Sequence, residues 1–216
     1  RLRFRQLWTY VPQPAVALGA RGPIHAAKPN VNARDLRPIT KPYDKRDLMT
    51  KRTGPSRMLV EILACPRTKS PLVLRDEVLT SVEGATYAVS NGVPILTTSA
   101  TPPEPHEGPL SVWSGYEPAI DFMLSSIPRS EPIVDLGSGN RDIDDPRIIR
   151  VDVTQTPHVD VVADAHDLPF KDNSIGALYA TAVFEHLHSP WIAAQEIWRV
   201  LKPGGYVLVD CNFVFP

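Results

Sequence analysis

Residues 133–140 read Ile133-Val134-Asp135-Leu136-Gly137-Ser138-Gly139-Asn140, and the fold turns on how they are understood. A β-branched, mostly apolar run suits a buried strand, and it ends on two glycines two residues apart. Glycine accepts positive φ and lets a ligand approach the backbone without a Cβ in the way. At the carboxyl end of a first parallel strand, such a turn is where doubly wound sheets bind ligands. A tight structural turn needs the same residues, so the pair of glycines decides nothing alone. The next two strand ends add weight. Asp152 closes Ile-Ile-Arg-Val-Asp-Val, where a carboxylate can accept hydrogen bonds from both hydroxyls of a ribose. Asp164 follows Val161-Val162-Ala163 and opens Ala165-His166-Asp167-Leu168-Pro169-Phe170, where an acid can reach an adenine amino group and Leu168 can lie against the ring. Each acid could instead be a solvated strand terminus, but three successive strands ending at ligand-competent turns favour a site.

Further outward, the elements alternate. Strands are expected over 132–136, 148–153, 159–163, 175–181 and 206–210, all rich in Val, Ile, Leu and Ala. A helix is expected over 118–127, with Ile120, Met123, Leu124 and Ile127 on one face. Another starts at Ser189 as N-cap with Pro190 in the first position and carries Trp191, Ala194, Trp198 and Leu201 as its apolar stripe; Lys202-Pro203-Gly204-Gly205 stops it. Strands alternating with helices imply an α/β fold with a mostly parallel, doubly wound, Rossmann-like sheet. A dinucleotide site is disfavoured. The G-x-G-x-x-G pattern needs glycine where Asp142 stands, and Arg141-Asp142-Ile143-Asp144-Asp145 is acidic enough to repel a pyrophosphate.

The strings VDLGSGN, RVDV, ADAHDLPFKDNSIGALYATAVFEHL and EIWRVLKPGGYVLVD together resemble the class I S-adenosylmethionine (SAM)-dependent methyltransferases, in the branch with an LPF, EH and LKPGG pattern. The resemblance spans about residues 131–210. It implies SAM as cofactor, whose positive sulfonium tolerates acidic surroundings. It places Asp135, Gly137 and Gly139 beside the methionine moiety, Asp152 on the ribose, and Asp164 with Ala165 and Leu168 at the adenine. Residues 181–186 would border the methyl-transfer space. Two departures stand out: Arg141 occupies the place of a third glycine, with only a short connection to Ile148, and the family's sheet normally continues beyond a fifth strand. No catalytic residue is assigned, since many methyl transfers need only proximity and alignment.

Residues 58–98 form a separate unit in this reading, with strands turning at 75–77, 83–84 and Asn91-Gly92. Such a short unit must lean on a neighbour for its core. Glu61-Ile62-Leu63-Ala64-Cys65-Pro66-Arg67-Thr68-Lys69-Ser70-Pro71-Leu72 and Tyr87-Ala88-Val89-Ser90-Asn91-Gly92-Val93-Pro94-Ile95-Leu96 resemble the PREY-type domain of mitochondria and its small bacterial relatives, a group similar to the zinc-ribbon activator subunit of RNA and protein methyltransferases. Thr68 stands where a second zinc-ligating Cys would be, so no zinc is expected. The resemblance implies a fused chaperone and client, of the kind that serves complex I assembly and ubiquinone synthesis.

The 216 residues carry a formal net charge of −1 that conceals an asymmetry. Residues 1–57 hold 13 Lys and Arg against 3 Asp and Glu, and the remainder holds 10 against 21. The basic arm also carries Pro12, Pro14, Pro23, Pro29, Pro38, Pro42 and Pro55, which exclude a long helix. A segment of this kind gains order from a surface it lies on. That points to a large assembly as partner, either protein or ribonucleoprotein, with Trp8 and Tyr10 able to stack on RNA; the alternative is an arm wrapped on the chain's own acidic body. The opening RLRFRQLWTYVPQ, with arginines and no acid, suits a mitochondrial presequence or what remains of one, so a mitochondrial, matrix-side location is expected. Cys65 and Cys211 lie in different regions and suggest no disulfide framework. His166, His186 and His188 are read as structural, with no metal site. No apolar run reaches membrane-span length. The expected organisation is therefore an arm at 1–57, a small unit at 58–98, a linker at 99–109 with Pro102, Pro103 and Pro105, and a methyltransferase-like domain at 110–216. The expected role is a methyltransferase-like subunit that stabilises a mitochondrial assembly (a respiratory complex or the mitoribosome) and retains SAM binding. An active mitochondrial methyltransferase is the alternative.

Overall fold

The computed structural model describes residues 8–10, 54–98, 118–141 and 143–211. Most of the basic arm, Asp142 and the whole of the linker over 99–109 lie outside the described residues, so the expectations for them stay with the sequence.

Among the described residues ten strands form one sheet: β1 (Trp8–Tyr10), β2 (Leu72–Arg75), β3 (Val78–Ser81), β4 (Thr86–Ser90), β5 (Val93–Leu96), β6 (Ile133–Leu136), β7 (Ile148–Asp152), β8 (Val161–Ala163), β9 (Ile175–Thr181) and β10 (Leu201–Asp210). Their order is β1-β10-β9-β6-β7-β8-β5-β4-β3-β2. The five strands β10-β9-β6-β7-β8 are parallel to one another, although among the described residues only the connection from β9 to β10 passes through an α-helix. Chain order departs from β6 in both directions, to β7 and β8 on one side and to β9 and β10 on the other. This is the doubly wound, Rossmann-like arrangement, and β6 stands at its switch point. All residues of β6 and β9 are buried, as central strands covered on both faces must be.

Among the described residues three α-helices accompany the sheet: α1 (Arg57–Ile62), α2 (Pro118–Ser126) and α3 (Pro190–Val200). Helix α2 lays Ile120, Met123 and Ile127 against Ile133, Ile148, Ala177 and Tyr179 on one face. Arg147 fastens its end, donating from Nη2 to the Leu124 carbonyl at 2.8 Å and from Nη1 to that of Ile127 at 2.8 Å. A cation at carbonyls without helical partners satisfies both hydrogen bonding and the helix dipole.

Helix α3 covers the other face, but not with the expected stripe. Ala193, Ile197 and Val200 are buried, whereas Trp191 and Trp198 are 63% and 52% exposed; of the expected stripe only Leu201, which opens β10, is buried. Both sets have helical spacing, so periodicity could not choose between them. Close helix–sheet approach favours the set headed by Ala193, because an indole would hold the helix off the sheet.

Strands β2 to β5 are an antiparallel meander with the expected turns. Asp76 and Glu77 (φ 47° and 62°) join β2 to β3, and Asn91 and Gly92 (φ 52° and 79°) join β4 to β5. Positive φ at both central residues is the geometry that two-residue hairpins prefer. The meander is not a free-standing satellite. Ile95 and Leu96 of β5 pair in parallel with Val162 and Ala163 of β8, making the small unit the antiparallel end of the common sheet. Leu59, Leu63, Leu72, Leu79 and Tyr87 join one apolar core with Val134, Val151, Leu178 and Ile197. At the opposite edge, Trp8 to Tyr10 pair antiparallel with Val209 to Val207.

A shared core predicts shared unfolding. Leu63 is fully buried between the two parts, so Leu63→Ala should cost about 2–5 kcal/mol. Denaturation followed by tryptophan fluorescence and by far-ultraviolet circular dichroism should then show a single transition, displaced as a whole. Two separated transitions would show that the small unit melts alone.

Candidate cofactor site

The carboxyl ends of β6, β7 and β8 lie side by side, which brings Asp135, Asp152 and Asp164 to one end of the sheet. The turn after β6 folds back over this end, with Gly137 at φ 66° and Gly139 at φ 53°. Glycine at 137 is required twice over, because a Cβ there would lie 2.2 Å from Cγ2 of Val183. At Gly139 a Cβ would meet nothing within 4 Å, so the turn is open on that side.

Asp152 is clasped into the same turn. Its Oδ2 accepts from Gly139 N at 2.8 Å and its Oδ1 from Thr154 N at 2.9 Å. Thr156 Oγ1 donates to the Gly139 carbonyl at 2.6 Å. Each carboxylate oxygen keeps a further lone-pair site, so the clasp orients the group and leaves it able to accept from a hydroxyl. Asp164 caps a single 3₁₀ turn, Ala165–Asp167, by accepting from His166 N at 2.9 Å. Its Oδ1 also pairs with His166 Nδ1, while His166 Nε2 accepts from Ser189 N at 3.3 Å, so Nδ1 carries the proton. The His166 and His188 rings are 4.1 Å apart between centroids. Among the described residues, no three His, Cys, Asp or Glu side chains gather into a metal-binding group.

Two candidate residues face inward. Ala165 and Leu168 are both buried in the main core, Leu168 fully. The Leu168 side chain is therefore spent on packing and offers no exposed face to an adenine ring; Ala165 can contribute only through its backbone.

The structure adds residues that sequence reasoning passed over. Arg141, read only as a missing glycine, turns inward and is buried, forming an ion pair with the buried Asp135 and donating to the hydroxyl of Thr181. Its guanidinium lies 5.7 Å from the centre of the Tyr179 ring. Burial pushes the Asp135 carboxyl up to about 6, against the opposing pull of Arg141. The same cause, with the Asp135 charge, raises the Tyr179 hydroxyl well above its ordinary value. Ala182 follows β9 with φ 55°, a left-handed conformation that L-residues with a Cβ seldom adopt, held by Ala182 N donating to the Asp210 carbonyl at 2.8 Å. An arginine six residues after an acid in a tight glycine turn was the one sequence signal for the buried pair.

Buried side-chain atoms without a hydrogen-bond partner among the described residues include Ser138 Oγ and Asn140 Oδ1, while Asp135 Oδ2 and the Tyr179 hydroxyl, beyond strict hydrogen-bond geometry, have each other as neighbours. All four belong to the glycine turn or to the strands beneath it. Buried polar groups are seldom left unsatisfied, and a gathering of them marks a place completed by a ligand or water. These residues fit SAM at its nucleoside side: Asp152 for the ribose hydroxyls, the open backbone at Gly139, and Asp164 with the Ala165 backbone for the adenine. On the amino-acid side, Asp135 could take the ammonium, in competition with Arg141. When bound, SAM would supply an electrophilic methyl group. A cavity of about 280 Å³ lies elsewhere, between Ser56, Leu59 and Gly92 of the small unit and Ile148 at the start of β7.

Comparison with known proteins finds methyltransferase relatives over part of the chain. Residues 141–209 match the family described as Methyltransferase domain. An uncharacterized methyltransferase of Mycobacterium tuberculosis is 39% identical over 57 residues, covering 26% of this chain and 22% of the relative. The tRNA (carboxymethyluridine(34)-5-O)-methyltransferase of Arabidopsis thaliana is 32% identical over 109 residues, covering 43% of this chain and 26% of the relative. The chain thus spans well under half the length of these curated methyltransferases. A solved complex of the Haloferax volcanii Trm112 methyltransferase activator with a methyltransferase superposes with a TM-score of 0.33 at 24% identity, over 42% of this chain and 49% of that one. The strand order above stands without that likeness. A UPF0434 protein of Pseudomonas paraeruginosa is 41% identical over 44 residues, 19% of this chain and 72% of the relative.

The raised Asp135 value has a testable sign. Between about 4 and about 6 the folded protein holds a proton that the unfolded chain has released, so this group's contribution to stability falls as pH rises through that window and is flat above it. The shift from 3.8 to about 6 corresponds to about 3 kcal/mol. Denaturant titrations at pH 4, 5 and 6 should show this decline in the wild type relative to Asp135→Asn. Parallel pH profiles for the two proteins would contradict it.

Over that 72% of the small relative the chain belongs to the family of the UPF0434 proteins, and residues 141–209, within a Rossmann-like sheet, match the methyltransferase domain family.

Proposed function

We propose that the chain binds SAM across the carboxyl ends of β6, β7 and β8, and serves as a methyltransferase-like subunit that stabilises a larger mitochondrial assembly. The observation that carries the first part is the collection of unsatisfied buried polar atoms around the glycine turn, beside the aligned carboxylates of Asp152 and Asp164. In this reading Asp152 holds the ribose, Gly139 accommodates the cofactor backbone-on, and Asp164 with the Ala165 amide addresses the adenine. Asp135 and Gly137 lie at the amino-acid end, which Arg141 and Val183 narrow. That narrowing favours a stabilising role over rapid turnover; an active methyltransferase is the second reading, favoured by the intact strand-end acids.

The small unit is proposed to be of PREY type, a built-in partner of the methyltransferase domain without zinc. Its likeness to a UPF0434 protein and its strand pairing with β8 support this. The charge asymmetry between residues 1–57 and the rest supports contact of the arm with an acidic protein surface or with RNA. No helix among the described residues is long and apolar enough to cross a membrane.

Calorimetric titration with S-adenosylhomocysteine (SAH) tests the cofactor reading. Saturable binding is expected, weakened about tenfold or more by Asp152→Ala, which removes charge-assisted hydrogen bonds. No heat and no competition from SAM would remove the reading. Native electrophoresis of solubilised mitochondria tests the assembly: the full chain should migrate with a large complex, and a version lacking residues 1–53 should not. Migration as a free monomer with a protease-sensitive arm would refute the stabilising role.

A further inference from the structure

We infer that the small unit acts on the cofactor site through a clamp made by Lys69, Glu196 and Arg199, which fixes the turn that follows β8. What this turn binds rests on the function proposed above; the clamp itself is read from contacts alone.

The stretch just beyond the Ala165–Asp167 turn is Leu168-Pro169-Phe170-Lys171, and its backbone is gripped from two sides. From the small unit, Ala64 N donates to the Pro169 carbonyl at 2.9 Å, and Lys171 N donates to the Ile62 carbonyl at 2.9 Å. Leu63 and Phe170 face each other as an antiparallel bridge. From α3, Arg199 Nη2 donates to the Leu168 carbonyl at 2.9 Å and Nη1 to that of Phe170 at 2.7 Å. Between these grips stands Lys69. Its ammonium donates to Glu196 at 2.8 Å and to the Leu168 carbonyl at 3.5 Å. Glu196 in turn accepts from Arg199 at 2.8 Å through both of its oxygens. One carboxylate thus joins a cation of the small unit to a cation of α3, and both cations end on the same backbone carbonyl. Thr98 Oγ1 adds a direct contact to Asp167 at 3.1 Å.

The turn that presents Lys69 is the one that resembles a zinc knuckle. Lys69 N donates to the Cys65 carbonyl and Cys65 N donates to the Ser70 carbonyl, both at 2.8 Å, while Lys69 itself sits at φ 60°. Cys65 Sγ lies 3.2 Å from the Tyr87 hydroxyl. Here the knuckle delivers an ammonium to a neighbouring element instead of a thiolate to a metal. Lys69 and Glu196 are 25% and 13% exposed, so their attraction is screened less than that of a surface pair. Lys69 is thereby a positioning residue: it touches no ligand, but it holds the strand-end turn that carries Asp164 and Ala165.

Hydrogen exchange and SAH titration on the full chain test this together. In Lys69→Met, the amides of His166, Asp167 and Leu168 should exchange about tenfold faster or more, with those of β6 and β7 unchanged, and SAH should bind about tenfold more weakly. Lys69→Arg, which keeps the charge and the reach, should restore both. A general loss of stability would instead accelerate exchange throughout. Wild-type exchange in the turn of Lys69→Met overturns the clamp. Should the wild type bind no SAH, the cofactor reading fails, and the exchange measurement still decides the clamp.

Discussion

Asp135 is buried at the head of the central strand, and a carboxylate in that position is tolerable only because Arg141 is buried with it. Desolvating two charges costs several kcal/mol each, and their attraction roughly offsets this when the geometry is good. Much of the architecture around the site follows. The chain must double back after β6 within a few residues for Arg141 to reach Asp135, so the turn needs positive φ at Gly137 and Gly139. A tight turn needs an anchor, and Asp152 at the end of the adjoining strand supplies one through the Gly139 amide. Arg141 also reaches Thr181 at the end of β9, so one guanidinium draws together strands on both sides of the switch point. A cofactor at this site would enter a competition already in progress, in which its ammonium and Arg141 seek the same carboxylate.

The small unit solves a different problem. A short meander cannot bury enough apolar surface to stand alone, and an exposed edge strand at β8 would invite pairing with another chain. Joining β5 to β8 answers both at once. The apolar faces of β2 to β4 and of α1 close over the same core that α3 covers, which couples the stability of the unit to that of the parallel sheet. The polar contacts of Lys69 and Arg199 extend that coupling to a turn at the candidate site. Glu196 shows how firmly it is held there: burial would raise its carboxyl, yet Arg199 and Lys69 outweigh burial and keep it below the ordinary range.

Helix α3 is where pattern reasoning went astray, and the reason is instructive. Trp191, Ala194 and Trp198 form as regular a stripe as Ala193, Ile197 and Val200, so spacing alone does not choose between them. Packing against a sheet rewards fit before bulk, and the tryptophans remain half exposed or more. Leu168 is drawn inward for a related reason. Next to a strand-end acid it read as a ligand contact, but the strip it belongs to is stitched to α1 and α3, which draws its side chain into the core.

Local chemistry alone determined the parallel strands, the start of α3, the Asn91-Gly92 hairpin and the three strand-end acids, because each depends on residues close together in the chain: apolar β-branched runs, proline at a first helical position, and glycine where φ must be positive. Tertiary structure decided which face of α3 is buried, that β5 continues the sheet at β8, that Arg141 turns inward to Asp135, and that Lys69 meets Glu196 far along the chain. Those outcomes depend on which surfaces meet and how much water they exclude. Burial and charge pairing are properties of the assembled interior, and no short stretch of sequence contains them.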